Sequence, residues 1–100
     1  MSKGTTRPYD SADYIDSPEA AAAFLEAALE DGDAQIIAAT LGDIARSKGM
    51  ATIAERTGLA REALYKSLSA DGNPRLTTLL GVLKAMGLRL SIVVDEHEAA

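Results

Sequence analysis

Apolar positions recur with a helical period along most of this chain. Ser17-Pro18-Glu19 reads as a helix start: a capping hydroxyl, a proline in the first turn where no N–H is needed, and an acid at the positive dipole end. Residues 19–29 are rich in alanine, and Phe24, Leu25, Ala28 and Leu29 fall on one stripe. Asp31-Gly32-Asp33 stops that helix and caps the next. The second helix shows Ile36, Ile37, Thr40, Leu41, Ile44 and Ala45 at the spacing of a buried face. It carries Arg46 and Lys48 in its last turn and ends at Gly49. Two short periodic segments then meet at Gly58. Ala51, Ile53, Ala54 and Thr57 belong to the first; Leu59, Leu64 and Leu68 belong to the second, with Arg61, Glu62, Tyr65 and Lys66 on the opposite side. Asp71-Gly72-Asn73-Pro74 marks a turn, and Pro74 opens a fifth helix with apolar Leu76, Leu79, Leu80, Leu83 and Met86, closed by Gly87.

After Gly87 the period changes to two. Leu88, Leu90, Ile92 and Val94 alternate with Arg89, Ser91, Val93 and Asp95, which predicts a strand whose polar side is broken at Val93. A lone strand leaves its N–H and C=O groups unpaired, and no other segment is rich enough in β-branched residues to be its mate. It is therefore expected to pair with its copy in a second subunit, making Leu88, Leu90, Ile92 and Val94 dimerisation residues, or with a strand of another protein. The alternative is an extension packed on helix four without pairing. The predicted architecture is all-α: five helices and a C-terminal β-strand used in dimerisation.

Composition narrows the class. One hundred residues make one small domain, and 47% apolar residues with 4% aromatic and no Trp demand an aliphatic, Ala-rich core. The absence of cysteine removes disulfides, a thiolate nucleophile and Cys-ligated zinc. The longest purely apolar run, residues 20–25, is too short to cross a bilayer. The first residues show charges without an apolar run behind them, so no signal peptide is expected and a cytoplasmic protein is. Residues 1–16, with Tyr9, Asp10, Asp13, Tyr14, Ile15 and Asp16, read either as an acidic arm with a few sticky apolar groups or as a frayed tail. Residues 17–95 form the domain proper and 96–100 a frayed end.

The net charge of −5 argues against nucleic acid until its distribution is considered. Residues 1–45 hold Lys3 and Arg7 against nine acids. Residues 46–90 hold Arg46, Lys48, Arg56, Arg61, Lys66, Arg75, Lys84 and Arg89 against only Glu55, Glu62 and Asp71. A basic block within an acidic chain neutralises phosphates locally, while the acidic part suits a basic protein. Within that block, Ala54, then Gly58 four later, then Leu64 six beyond, is the order a helix-turn-helix needs. A small residue lets two steeply crossed helices approach, a glycine takes the positive φ of the turn, and a buried leucine anchors the second helix. The second anchor falls at Leu68, with Ser67 where the common pattern is apolar.

Several stretches resemble a known family. They are Asp16-Ser17-Pro18-Glu19, Ala27-Ala28-Leu29-Glu30-Asp31-Gly32-Asp33 and Leu41-Gly42-Asp43-Ile44-Ala45-Arg46-Ser47-Lys48-Gly49-Met50. They continue with Gly58-Leu59-Ala60-Arg61-Glu62-Ala63-Leu64-Tyr65-Lys66, Asp71-Gly72-Asn73-Pro74-Arg75 and Thr78-Leu79-Leu80. Together they resemble addiction-module antidote proteins, HigA-like antitoxins with an Xre-type (lambda-repressor-like) helix-turn-helix, over about residues 9–95. The resemblance implies a bacterial type II toxin–antitoxin operon, a RelE/HigB-like ribonuclease toxin neutralised by this chain, and repression of the shared promoter. Where the family usually has Ser, this chain has Ala60, which loses an N-cap hydroxyl and with it a phosphate contact.

Roles follow by position. Arg61 is the candidate base reader, because Arg pairs bidentately with guanine. Glu62 accepts from cytosine or holds Arg61 or Lys66 in place. Tyr65 and Lys66 point from the next turn toward bases or phosphates, unless Tyr65 packs on the core. Lys48, Thr52, Asn73 and Arg75 are candidate phosphate contacts. Each basic residue taken singly is equally a solvated charge. Asp10, Asp13, Tyr14, Ile15, Asp16, Phe24 and Glu26 form the expected toxin-binding surface, on the strength of the acidic amino-terminal balance, with the strand at Leu88 to Val94 an equally physical docking site. No cofactor, metal or enzyme is expected: His97 is the sole histidine, the Asp10, Asp13, Asp16 series lacks the spacing of a calcium loop, and no phosphate loop is present. The partners expected are the toxin, double-stranded operator DNA and a second copy of the chain, with two reading helices about 34 Å apart. The alternatives are a helix-turn-helix repressor without a toxin partner and an interaction module that no longer binds DNA.

Overall fold

The computed structural model describes residues 15–96. In them the chain forms α1 (Pro18–Asp31), α2 (Ala34–Lys48), α3 (Met50–Thr57), α4 (Arg61–Ser67) and α5 (Leu76–Ala85). Local signals set most boundaries. The Ser17 Oγ accepts from the Ala20 N–H at 3.1 Å, so the hydroxyl satisfies one of the orphan donors of α1. The Asp33 carboxylate does the same for α2, accepting from Gln35 at 2.8 Å and Ile36 at 3.4 Å. Gly49 ends α2 by donating to the Ala45 carbonyl and starts α3 by accepting from Ile53, so a single residue separates the two helices.

The end of α5 is a Schellman turn. Gly87 has φ 79°, its N–H donates to Lys84, and the Leu88 N–H donates to Leu83 at 2.8 Å. Leu88 accordingly folds back onto the core. The start of α5 differs from the expectation: Pro74 precedes the helix instead of opening it, because Arg75 is extended (φ −67°, ψ 158°) and the helix begins at Leu76.

Helix α1 packs on α2, α3 packs on α5 and α4, and α2 touches α3, α4 and α5, which makes α2 the central helix. Leu41 and Ile44 from α2, Ile53 from α3, Leu64 from α4, and Val82 and Leu83 from α5 are the largest fully buried side chains. Burial of each such side chain contributes roughly 1.5–3 kcal/mol. The buried faces include the expected Leu41, Ile44, Ala45, Leu83 and Met86 and differ from expectation at their edges. Ile36 is exposed and Ile37 half-buried, while Ala38 and Gly42 are buried on α2. On α5, Thr78, Val82 and Ala85 are buried, and Leu76 and Leu80 stay out. The cause is a close approach: a Cβ on Gly81 would lie 3.1 Å from the Thr57 methyl, so α5 turns its small residues toward α3.

The expected C-terminal strand is absent from the described residues. Of its alternating apolar set, Leu88 is used by the Schellman turn, and Leu90 leans toward α1. Ile92 and Val94 are 96% and 80% exposed. With no neighbouring strand to pair with, the N–H and C=O groups of residues 88–94 form no ladder, and period-two sequence alone cannot make one. The all-α reading holds; the C-terminal strand does not.

Candidate functional site

The geometry around residue 58 begins with backbone chemistry. Gly58 has φ 76° and donates to the Ala54 carbonyl at 2.9 Å, ending α3 in a left-handed cap. Thr57 completes the turn: its hydroxyl donates to the Ile53 carbonyl at 2.8 Å and accepts from the Leu59 N–H at 3.3 Å. The chain then turns through Leu59 and Ala60 and enters α4 at Arg61. Ala60 has the extended backbone of an N-cap (φ −69°, ψ 142°) but offers no side-chain acceptor.

One side of α4 is sealed and the other is open. Leu64 is fully buried, and Leu68 at the helix end is buried beside it. Arg61, Glu62, Tyr65 and Lys66, at positions i, i+1, i+4 and i+5, are all exposed, with Tyr65 49% exposed. A half-exposed Tyr65 is not a core residue. Of the expected flanking contacts, Lys48, Asn73 and Arg75 are exposed and Thr52 is half-buried at the start of α3. Indeed every base between residues 46 and 90 is exposed. Two of them have structural work as well. Arg46 pairs with Asp43 one turn earlier on α2, and the Arg56 guanidinium donates to the Ala85 carbonyl at 3.0 Å.

The expected acidic surface is distributed differently. Asp10, Asp13 and Tyr14 lie outside the described residues. Ile15 is buried in the core, and Phe24 is half-buried against it. Asp16 and Glu26 are exposed. Glu26 looks onto a groove of about 260 Å³ between α1 and residues 88–91, bordered also by Leu25, Leu29 and Leu90. Sequence reasoning missed that groove, because its two walls are far apart in the chain. Leu29, outside the core although it fits the α1 stripe, is the residue that marks it.

Among the described residues no helix is long and apolar enough to cross a membrane. Residues 5–94 match a family described as "Probable addiction module antidote protein". An uncharacterized protein of Haemophilus influenzae (strain ATCC 51907 / DSM 11121 / KW20 / Rd) is 37% identical over 86 residues, covering 86% of this chain and 89% of the relative. No solved structure matches significantly. This chain belongs to the family of addiction-module antidote proteins, and its partner is accordingly a toxin.

Proposed function

We propose that this antidote neutralises a RelE/HigB-like ribonuclease toxin and, as a homodimer of the HigA-like, Xre-type kind, represses its own operon. In this reading α3 and α4 act as a helix-turn-helix, with α4 entering the major groove. The observation that carries the DNA half is the split of α4: Leu64 is sealed inside while Arg61, Glu62, Tyr65 and Lys66 all face outward. A helix presented this way reads base edges with Arg61 and holds phosphates with Lys66. Lys48, Thr52, Asn73 and Arg75, from the elements on either side, supply further phosphate contacts. A helix of seven residues reaches few base pairs, so two copies on a palindrome, about 34 Å apart, supply the rest. The chain acts by binding and not by catalysis.

The protein half rests on the family and on charge. Asp16, Glu19, Glu26, Glu30, Asp31 and Asp33 are all exposed, and no base interrupts them before Arg46. Such a surface attracts a basic partner, the charge an RNA-cleaving toxin needs to hold its own substrate.

The test is fluorescence anisotropy with a duplex from the promoter upstream of the antidote gene. The Arg61→Glu, Lys66→Glu double variant should bind at least tenfold more weakly than the natural chain while keeping its circular dichroism spectrum. Equal affinity of the two would remove the DNA-binding role and leave an interaction module.

A further inference from the structure

We propose that the groove between α1 and the segment following α5 is the seat of the toxin, and that its occupant is a toxin segment combining aliphatic side chains with Lys or Arg. The inference rests on the neutralisation reading above and adds the place and the chemistry of contact. The groove is walled by Ala22, Leu25 and Leu29 from α1 and by Leu83, Leu88 and Leu90 from the other side. Leu29 and Leu90 are each 43% exposed, and Ile92 and Val93, next along the same segment, are 96% and 82% exposed. Apolar surface bordered by charge is the form a protein-binding face takes.

The lining argues against a metabolite. Small-molecule pockets converge several polar groups on the ligand. This groove is open and mostly leucine. What suits it is a ridge of aliphatic side chains from another polypeptide, laid across Leu29 and Leu90.

Charge selects the kind of polypeptide. Glu26 lines the groove, and Glu30 lies one turn further along α1, on the same side as Glu26. No base occurs in α1. Arg89 stands on the other wall, where it would meet a carbonyl or carboxylate of the occupant. An aliphatic segment that turns a Lys or Arg toward α1 and a backbone carbonyl toward Arg89 therefore suits both walls. A second copy of this chain is a poorer occupant: its own exposed run at residues 92–94 leads into Asp95 and Glu96, which would meet Glu26 and Glu30. The groove shares no residue with the exposed face of α4.

The experiment uses the full chain and, as probe, the purified protein encoded by the gene adjacent to the antidote gene. Binding is measured by calorimetry at low and moderate salt. Leu29→Ser and Leu90→Ser, both at exposed positions, should each weaken binding at least tenfold. Glu26→Lys should weaken it and flatten its salt dependence. Leu76→Ser, an exposed leucine on α5, should bind as the natural chain does. Independently of any variant, hydrogen exchange on the natural complex should show residues 88–91 protected relative to the free antidote. Binding by the natural chain with the groove variants unaffected and those amides unprotected overturns the groove and leaves neutralisation standing. No binding by the natural chain overturns both. Protection of residues 88–91 that rises with antidote concentration alone assigns the groove to a second copy and overturns the proposal.

Discussion

Gly42 in α2 lies directly against the backbone of Leu68, where α4 ends: a Cβ on Gly42 would sit 2.1 Å from the Leu68 carbonyl oxygen. Only a residue without a side chain permits that approach, and the approach fixes the far end of α4 against the central helix. Replacing Gly42 by Ala should force the two helices apart. Overpacking of this kind costs roughly 1–3 kcal/mol. For a domain of this size each kcal/mol lowers the thermal midpoint by about 4–8 °C. A circular dichroism melt checks it, and a midpoint equal to that of the natural chain would show that α4 is not held there.

Arg56 was legible only as a member of the basic block. Its guanidinium instead spans from α3 to the Ala85 carbonyl at the end of α5, where a cation also meets the negative end of the helix dipole. Arg56→Gln should lower stability by about 1 kcal/mol, less than a buried charged hydrogen bond because Arg56 is largely exposed. Urea unfolding followed by tryptophan-free signals such as far-UV dichroism is the measurement. The same variant should change operator affinity far less than Arg61→Gln does.

The helices were readable from caps and period. Ser17, Asp33, Gly58 and Gly87 each mark a boundary the structure uses, because capping and left-handed φ are local chemistry. What the sequence could not supply was the rotation of each helix about its axis. By period Leu76 and Leu80 extend the stripe through Leu79 and Leu83 as well as the buried Thr78, Val82 and Ala85 do. The contact of Gly81 with Thr57 decides between them, and it joins residues 24 positions apart. Gly72 shows the same limit. It reads as a turn glycine, but its φ is not positive; it is required because a Cβ would lie 2.2 Å from the Ser67 carbonyl oxygen. The α4 face was legible because one turn and one anchor define it. The groove on α1 was not, because it exists only once residues 88–91 have folded back.

Ala60 is an unused opportunity for stability. It has extended backbone at the N-cap of α4 and no side-chain acceptor for the first N–H groups. Ala60→Ser should raise stability by about 0.5–2 kcal/mol, the usual gain of an N-cap hydroxyl. Urea titration would show the midpoint moving up with an unchanged slope. A midpoint that does not move would mean that the end of α4 frays and gains nothing from a cap.

Arg61 and Arg75 should fail differently when they are removed, because one is assigned to a base and the other to a phosphate. Both are exposed, Arg61 in the first turn of α4 and Arg75 just before α5. A phosphate contact contributes by releasing counterions, so log affinity falls with log salt at about 0.9 per phosphate neutralised on duplex DNA. Arg75→Ala should therefore weaken binding to operator and unrelated duplex alike, and reduce the salt slope by about 1. Arg61→Ala should lower operator affinity by about 1–3 kcal/mol and narrow the gap between operator and unrelated DNA, since the lost hydrogen bonds are to a particular base. Titrations of both duplexes at several salt concentrations separate the two patterns. If Arg61→Ala lowered both affinities in parallel, Arg61 would be a phosphate contact, and the reading of bases would pass to Glu62, Tyr65 or Lys66 on the same face.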